Sequence, residues 1–239
     1  MKNLLLVEAL VVLGLSLPSQ GALVIGQTIG IDFGATVPVA GSNFNAYTDV
    51  EIADGDTESF IPLGSLIDTT GVTVADVGFS VTNNTGEDSN PAVVGAGVQG
   101  FGLMSDSSIY QDILISNHAP GQGRNLSNGG NFVLTFVGLD PTLTYDLVGG
   151  FDQNNANFNS TWSADGQSAT TDGNAPDSDV GFVSLNGLST DGSGTLEITV
   201  TRSNHVAIGG LYLTAVPEPS AASLIGVGVL GVLLRRRRV

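Results

Sequence analysis

Apolar and polar residues alternate along much of this chain, and no segment between residues 23 and 215 has the 3.6-residue period of an amphipathic helix. The alternation is strictest at 195–201, where Leu196, Ile198 and Val200 fall on one side of an extended chain. Comparable stretches bounded by Gly, Asn or Asp predict further strands at 29–33, 72–81, 109–115, 132–137, 144–148, 159–163, 180–185 and 206–214.

Turn sequences separate these stretches. Asp165-Gly166 is a two-residue hairpin signal, Asp191-Gly192-Ser193-Gly194 precedes the clearest strand, and an Asn-Asn-Thr-Gly turn occupies 83–86. Short strands joined by polar turns are typical of sandwiches and jelly rolls. We therefore expect residues 23–215 to form a single antiparallel, jelly-roll-like β-sandwich of the all-β class, which we call the body.

Three short motifs carry a resemblance for the body. A Leu-x-Pro turn feeds a Tyr-x-Leu strand within 138–147, and this is similar to connections in fibronectin-like and galactose-binding-like domains. Together with Ile-Asp-Phe-Gly at 31–34 and Leu-Tyr-Leu-Thr at 211–214, it makes the body resemble jelly-roll modules appended to bacterial carbohydrate-active enzymes. The resemblance implies a carbohydrate-binding function.

The N-terminus has the pattern of a secretory signal peptide. Lys2 supplies a positive charge, the stretch 4–17 is apolar apart from Glu8, Gly14 and Ser16, and Pro18 ends it. Small residues follow at 19, 21 and 22, where a signal peptidase would cut. We therefore expect residues 1–22 to be removed on export.

The C-terminus has three consecutive parts. Val216, Pro217, Glu218 and Pro219 precede an apolar run at 221–234, and four arginines follow it: Arg235, Arg236, Arg237 and Arg238. As a helix the run is about 21 Å long, short of a bilayer core of about 30 Å, but a start at Pro219 and snorkelling arginines extend it. Arginines directly after an apolar run stay in the cytoplasm, which predicts a transmembrane helix with the body outside.

This ending resembles the PEP-CTERM sorting signal of Gram-negative bacteria, which combines a Val-Pro-Glu-Pro motif, one apolar helix and a terminal arginine cluster. The resemblance covers only about the last 24 residues. It implies export by the secretion machinery, a transient anchor in the inner membrane, and processing near the motif by an exosortase, an integral-membrane cysteine protease. Release or transfer to the cell surface would follow.

Charge excludes one class of partner. The chain has 23 acidic residues against 7 Lys and Arg, a formal net charge of −16. Five of the seven cations lie in the two terminal segments, which leaves the body with Arg124 and Arg202. Because binding to phosphates needs clustered cations on the folded domain, nucleic acid is excluded as a partner.

The sequence favours a body without catalytic activity. The chain has no cysteine, which excludes a thiol nucleophile, a disulfide and a zinc–thiolate site. The two histidines, His118 and His205, lie in loops, and acidic residues are so frequent that no pair is singled out. The alternatives are a small hydrolase or esterase on the same sandwich, using His205 or a carboxylate pair, and a structural matrix protein with no ligand.

One candidate ligand site is a calcium site. Asp54, Asp56 and Glu58 place carboxylates at alternate positions, which suits Ca²⁺, although the spacing does not fit an EF-hand loop and a solvated acidic loop is the alternative. No other cofactor is indicated.

Sugar binding uses exposed aromatic rings. Trp162, the only tryptophan, lies among small polar residues and is the first candidate, with Tyr47 and Tyr110 after it. Burial of Trp162 in the sandwich core is the alternative.

Overall fold

The computed structural model describes residues 22–34, 43–48, 52–61, 66–86, 89–93, 103, 112–116, 130–150, 160–171, 181–201 and 206–218. The predicted signal peptide, apart from Ala22, lies outside these residues. The sorting segment after Glu218 lies outside them as well.

The described residues form strands and no helix, which confirms the all-β prediction. The strands are β1 (Thr28–Gly34), β2 (Asn45–Thr48), β3 (Thr57–Ile61), β4 (Leu66–Ile67), β5 (Thr73–Val74), β6 (Gly78–Asn84), β7 (Ser89–Val93), β8 (Asp112–Ser116), β9 (Asn131–Val137), β10 (Thr144–Gly150), β11 (Thr161–Ala164), β12 (Gln167–Thr170), β13 (Phe182–Ser189), β14 (Leu196–Thr201), β15 (Ala207–Ile208) and β16 (Gly210–Val216).

Two large sheets make the sandwich. The five-stranded sheet has the order β13-β10-β16-β1-β2, and the six-stranded sheet has the order β12-β11-β14-β9-β6-β3. A three-stranded sheet, β15-β8-β7, and a two-stranded sheet, β4-β5, complete the described strands. Neighbouring strands run antiparallel except for β1 and β2, which are parallel, so the prediction of an antiparallel sandwich needs this one correction.

The structure divides two of the predicted strands, and turn residues explain both divisions. The stretch 72–81 forms β5 and β6, separated by a turn in which Asp76 has a φ of 64°. The stretch 206–214 forms β15 and β16, separated by Gly209. The predicted hairpin is confirmed, because Asp165 and Gly166 both have positive φ, 45° and 72°, as a type I′ turn requires.

The core lies between the two large sheets and is filled by alternate residues of their strands. A row of aromatic rings joins the sheets: the Phe33 ring of β1 lies 6.0 Å from the Phe79 ring of β6, centroid to centroid. The Phe79 ring lies 4.8 Å from the Phe136 ring of β9. All three side chains are buried. Tilted ring pairs at these distances stabilise a core beyond the area that they bury.

The Leu-x-Pro turn is fixed to β10 by a tyrosine. The Tyr145 hydroxyl donates a hydrogen bond of 3.0 Å to the carbonyl oxygen of Asp140, five residues upstream, as in the tyrosine corner of β-sandwiches. Burial raises the pKa of Tyr145 to about 12. The turn therefore has a fixed position at the start of β10.

Several turns meet at one end of the sandwich. Thr144, which follows the Leu-x-Pro turn, is paired both with Ser189 at the end of β13 and with Val216 at the end of β16. The backbone N–H of Ser189 donates to Asp165 Oδ2 in the β11–β12 turn at 2.8 Å. The N–H of Leu139 donates to the carbonyl oxygen of Gly194 at 3.0 Å. We call this the tail end, because the chain leaves the body here toward its C-terminal segment.

Candidate functional site

The outer side of the six-stranded sheet is a surface of small hydroxyl side chains. Alternate residues of each strand point away from the core, and burial alternates accordingly in β9, β11 and β14. One row crosses all six strands in register: Ser168, Ser163, Thr199, Val133, Thr82 and Thr57. At about 4.8 Å between strands, such a row is about 24 Å wide.

We call this surface the hydroxyl face. Among its described residues, Glu197 is the one with a charged side chain, although the chain as a whole has a net charge of −16. Its hydroxyl side chains are Thr57, Ser80, Thr82, Thr135, Thr161, Ser163, Ser168, Thr170, Thr199 and Thr201.

Some hydroxyl groups of this face bond to one another across strands. The Oγ1 atoms of Thr57 and Thr82 are 2.7 Å apart, and those of Thr161 and Thr170 are 2.9 Å apart. A hydroxyl can donate one hydrogen bond and accept two, so each pair still has capacity for a further partner. The face therefore presents oriented polar groups at regular spacing.

A pocket of about 800 Å³ lies where the hydroxyl face meets the tail end. Ser163, Ser168 and Thr199 belong to the face, and Asp165, Thr190 and Asp191 come from the two neighbouring turns. The volume is within the range that small-molecule sites have, but the lining is polar and contains no aromatic ring.

Hydrogen bonds between the β11–β12 hairpin and β13 build one wall of this pocket. Gln167 Nε2 donates to the carbonyl oxygen of Asn186 at 2.9 Å, and Asp165 Oδ2 accepts from the Ser189 N–H at 2.8 Å. Because β12 and β13 are edge strands of different sheets, these bonds join the two sheets along that side. The pocket wall is therefore part of the folded framework.

Another part of the rim is a turn organised by Asp191. Its Oδ1 atom accepts from the Ser193 hydroxyl at 2.7 Å, the Thr195 N–H at 2.8 Å and the Ser193 N–H at 2.9 Å. The Ser193 hydroxyl and then the Thr195 N–H hold the pKa of Asp191 below its usual value. Beside it, the Thr190 hydroxyl oxygen is buried and has no hydrogen-bond partner among the described residues.

The aromatic residues predicted to bind sugars lie elsewhere. Trp162 is an inward residue of β11 with 0% of its side chain exposed, and its Nε1 donates to Ser160 Oγ at 3.0 Å. Tyr47 is also 0% exposed and packs 5.4 Å from the Phe33 ring, while burial and then the Glu58 charge raise its pKa. Tyr110 lies outside the described residues. A buried ring cannot stack on a sugar, so Trp162 and Tyr47 are core residues in this structure.

Among the aromatic side chains that the structure describes, Tyr212 is partly exposed. It packs on the outer side of the five-stranded sheet with Phe44, Val148 and Phe182. Burial raises the pKa of Tyr212. Phe44 occupies the space over Gly30, where a Cβ atom would lie 2.7 Å from the Phe44 ring. Sequence reasoning missed this cluster because its members come from four separate segments.

The predicted calcium residues lie on the surface. Asp54, Asp56 and Glu58 are exposed, and Asp54 Oδ1 accepts a hydrogen bond of 2.8 Å from the Gly86 N–H. Within the described parts of the chain, no three Asp, Glu or His side chains form a group that could hold a metal ion. Calcium binding stays a prediction. His118 and His205 lie outside the described residues.

The sorting motif begins inside the fold. Val216 is the last residue of β16, and Pro217 and Glu218 follow it, with Pro217 exposed. Pro219 and the four arginines at 235–238 lie outside the described residues, as does the predicted helix at 221–234. Within the stretches that are described, no helix is long and apolar enough to span a bilayer.

Comparison with known families gives a match at this end of the chain. Residues 215–238 match the PEP-CTERM protein-sorting motif. The chain carries a PEP-CTERM sorting signal. The match includes Val216–Pro219 and all four arginines, which confirms the sorting signal predicted from the sequence. The motif supports export and sorting by an exosortase, and it implies a membrane-associated C-terminal signal. No curated protein matches the chain.

Proposed function

We propose that this chain is an exported surface protein, sorted by an exosortase, whose body binds polysaccharide through the hydroxyl face without catalysing a reaction. The sorting motif at 215–238 supports the first part. The observation that carries the second part is a hydroxyl-lined sheet face with a single described carboxylate on a chain of net charge −16.

The chemistry of the face suits a polymer of sugars. Sugar hydroxyls and Ser or Thr hydroxyls both donate and accept hydrogen bonds, so the two surfaces are complementary without a fixed orientation. The low charge of the face also lets an acidic polysaccharide approach, which the acidic remainder of the surface would repel. Single contacts of this kind contribute little, and repeated contacts along one polymer raise the overall affinity.

The pocket lies where the hydroxyl face meets the tail end, so it can hold a different part of the polymer from the face itself. Asp165, Asp191 and Glu197 line it together with hydroxyl groups, and carboxylates commonly accept hydrogen bonds from hydroxyl groups. We propose that the pocket takes a chain end or a branch of the polymer.

A hydrolase is the competing proposal, because the same carboxylates could in principle act on a glycosidic bond. A general acid for this reaction needs a raised pKa, so that it keeps its proton at neutral pH. The pKa of Asp191 is lowered instead, by its three hydrogen-bond donors. The lowered pKa argues against Asp191 as the general acid of such a reaction.

Binding to purified neutral and uronic-acid-containing polysaccharides tests the proposal. We expect Thr199→Glu, in the middle of the hydroxyl face, to weaken binding at least about fivefold, since it places a second carboxylate beside Glu197. Ser184→Glu adds the same charge on an exposed position of β13 in the other sheet and should bind as the parent does. Equal loss in both variants, or no binding to any polysaccharide, would contradict the proposal, and release of reducing ends would support a hydrolase.

A further inference from the structure

The last strand of the sandwich runs directly into the sorting motif. The matched region starts at Ala215, which is a buried residue of β16 with 1% of its surface exposed. Its N–H donates to the carbonyl oxygen of Gln27 at 3.0 Å, and its carbonyl oxygen accepts from the Gly26 N–H at 2.8 Å. On the other side it is paired with Tyr145. Ala215 is therefore held from both sides within a central strand.

Val216 is held less firmly. It is paired with Thr144 at the start of β10, the Thr144 hydroxyl donates to its carbonyl oxygen at 3.5 Å, and its side chain is partly exposed. Pro217, the next residue, is exposed and has no N–H to pair. The ladder between β10 and β16 therefore ends at Val216.

The space between the end of this ladder and the membrane is short. Pro217, Glu218, Pro219 and Ser220 separate Val216 from the apolar run that begins at Ala221. Four extended residues span at most about 14 Å. A protease that binds the Pro-Glu-Pro segment in the membrane must therefore work next to the tail end of the sandwich.

We propose that the pairing of Val216 with Thr144 limits processing by the exosortase. A protease that binds its substrate as an extended strand needs residues on the N-terminal side of the cut, and here Val216 must leave β10 to supply one. Ala215 stops further separation, because its release would break both backbone bonds to Gly26 and Gln27 and remove β16 from the sheet core. The proposal rests on exosortase processing of this chain.

The expected size of the effect follows from the bonds that must open. Separation of one terminal strand residue breaks about one net backbone hydrogen bond, which corresponds to roughly a tenfold change in the open fraction. Separation that reaches Ala215 would break more bonds and expose a buried side chain. The mature protein should therefore keep all of β16 and end C-terminal to Val216.

The first test moves the motif away from the body. A Gly-Ser-Gly-Ser-Gly insertion between Ala215 and Val216, in the full chain, leaves the Val-Pro-Glu-Pro sequence intact but outside the sheet. In cells that contain the exosortase, a mass-spectrometric time course should show cleavage about five- to tenfold faster than in the parent. The same insertion directly after Gly86, an exposed turn residue away from the tail end, should leave the rate unchanged.

The second test locks the pair. Thr144→Cys with Val216→Cys places two cysteines at paired positions of an antiparallel ladder, where Cα atoms lie close enough for a disulfide. The chain has no other cysteine. We expect cleavage at least about fivefold slower than in the parent and recovery on reduction. Val216→Cys alone controls for the change in the motif, and a melting midpoint no lower than that of the parent excludes a folding defect.

The possible outcomes distinguish the limit set by Val216 from exosortase processing itself. If the parent is cut but both the insertion and the disulfide leave its rate unchanged, the limit set by Val216 is refuted while exosortase sorting stands. A mature C-terminus that lies before Val216 would also refute it. A parent chain that stays uncut through Val239 would refute exosortase processing and the limit together.

Discussion

The indole ring of Trp162 lies directly over the backbone of Gly149 on the facing sheet. A Cβ atom at Gly149 would lie 2.4 Å from Cζ3 of the ring, closer than any non-bonded carbon contact allows. Trp162 belongs to β11 of the six-stranded sheet and Gly149 to β10 of the five-stranded sheet. The missing side chain of Gly149 therefore makes room for the largest side chain of the core.

Gly149→Ala should destabilise the protein by about 2 kcal/mol, because a methyl group in a packed core forces the ring or the backbone to move. Urea unfolding measures the change in the free energy of unfolding. Gly192→Ala is the matched control, since its added Cβ would have no atom within 4 Å and its φ is not positive. Equal stability of the two variants would show that Trp162 does not pack on Gly149.

The fluorescence of Trp162 reports its burial. As the only tryptophan, with an indole that is 0% exposed and bonded to Ser160, it should be protected from acrylamide in the folded protein and accessible in urea. Adding a polysaccharide that binds should leave its emission unchanged, because the hydroxyl face lies on the other side of β11. A shift of the emission on binding would place Trp162 in the sugar site.

The carboxylate of Asp68 is a buried charge with four donors. Its Oδ1 atom accepts from the Thr70 hydroxyl at 2.6 Å and from the N–H groups of Thr70 and Val72, each at 2.9 Å. Gln27 Nε2 donates to Oδ2 at 3.2 Å. Burial by itself would raise the pKa of Asp68, but the hydrogen bonds from Thr70, Val72 and Gln27 outweigh it and lower the pKa.

Stability should therefore fall in acid through Asp68. Its pKa is lower in the folded state than in the unfolded chain, where it is about 3.9, so ionised Asp68 stabilises the fold above about pH 4. This contribution disappears as the pH falls through the lower, folded-state pKa. Asp68→Asn should reduce the free energy of unfolding by about 1–3 kcal/mol at pH 7, and the difference from the parent should shrink toward pH 2.

Thr70→Val provides the control, because it removes the hydroxyl donor at 2.6 Å and leaves both backbone donors in place. At pH 7 the free energy of unfolding of this variant should lie between those of the parent and Asp68→Asn. A constant difference between parent and Asp68→Asn from pH 2 to pH 7 would contradict the assigned pKa shift.

The calcium prediction has its own measurement. Binding of Ca²⁺ by Asp54, Asp56 and Glu58 should raise the melting midpoint in millimolar Ca²⁺ above that in EDTA, because a ligand of the folded state stabilises it. Asp56→Asn should abolish the rise. Identical midpoints in Ca²⁺ and EDTA would refute calcium binding at this stretch.

Local patterns in the sequence were sufficient to predict strands such as β14 and to recognise the sorting motif, whereas β2, β3, β4 and β7 were not predicted. Strand β14 alternates because one face is buried, and the sorting motif is contiguous, so neither needs three-dimensional information. The environment of Trp162 was harder to predict. Its neighbours in sequence, Thr161 and Ser163, are polar because they point away from the core, and alternation with Ala164 was the signal for burial.

The hydroxyl face could not be predicted for a different reason. It depends on the order β12-β11-β14-β9-β6-β3, in which most neighbours are distant in sequence. Ser163 and Thr199 are adjacent only because of this order. An alternating strand shows which of its residues face outward, but the strands that lie beside it are set by long-range packing.

The positions of the first and last strands have a consequence for the order of events during synthesis. β16 lies between β10 and β1, so the five-stranded sheet stays in two parts until residues 210–216 have been made. Pairings between such distant residues form slowly, because a long loop must close first. The body therefore cannot complete its fold until β16, which directly precedes the sorting motif, has been made. The strand that closes the sheet emerges directly before the residues that an exosortase recognises, so a chain truncated before Gly210 would lack both the sorting signal and a finished body.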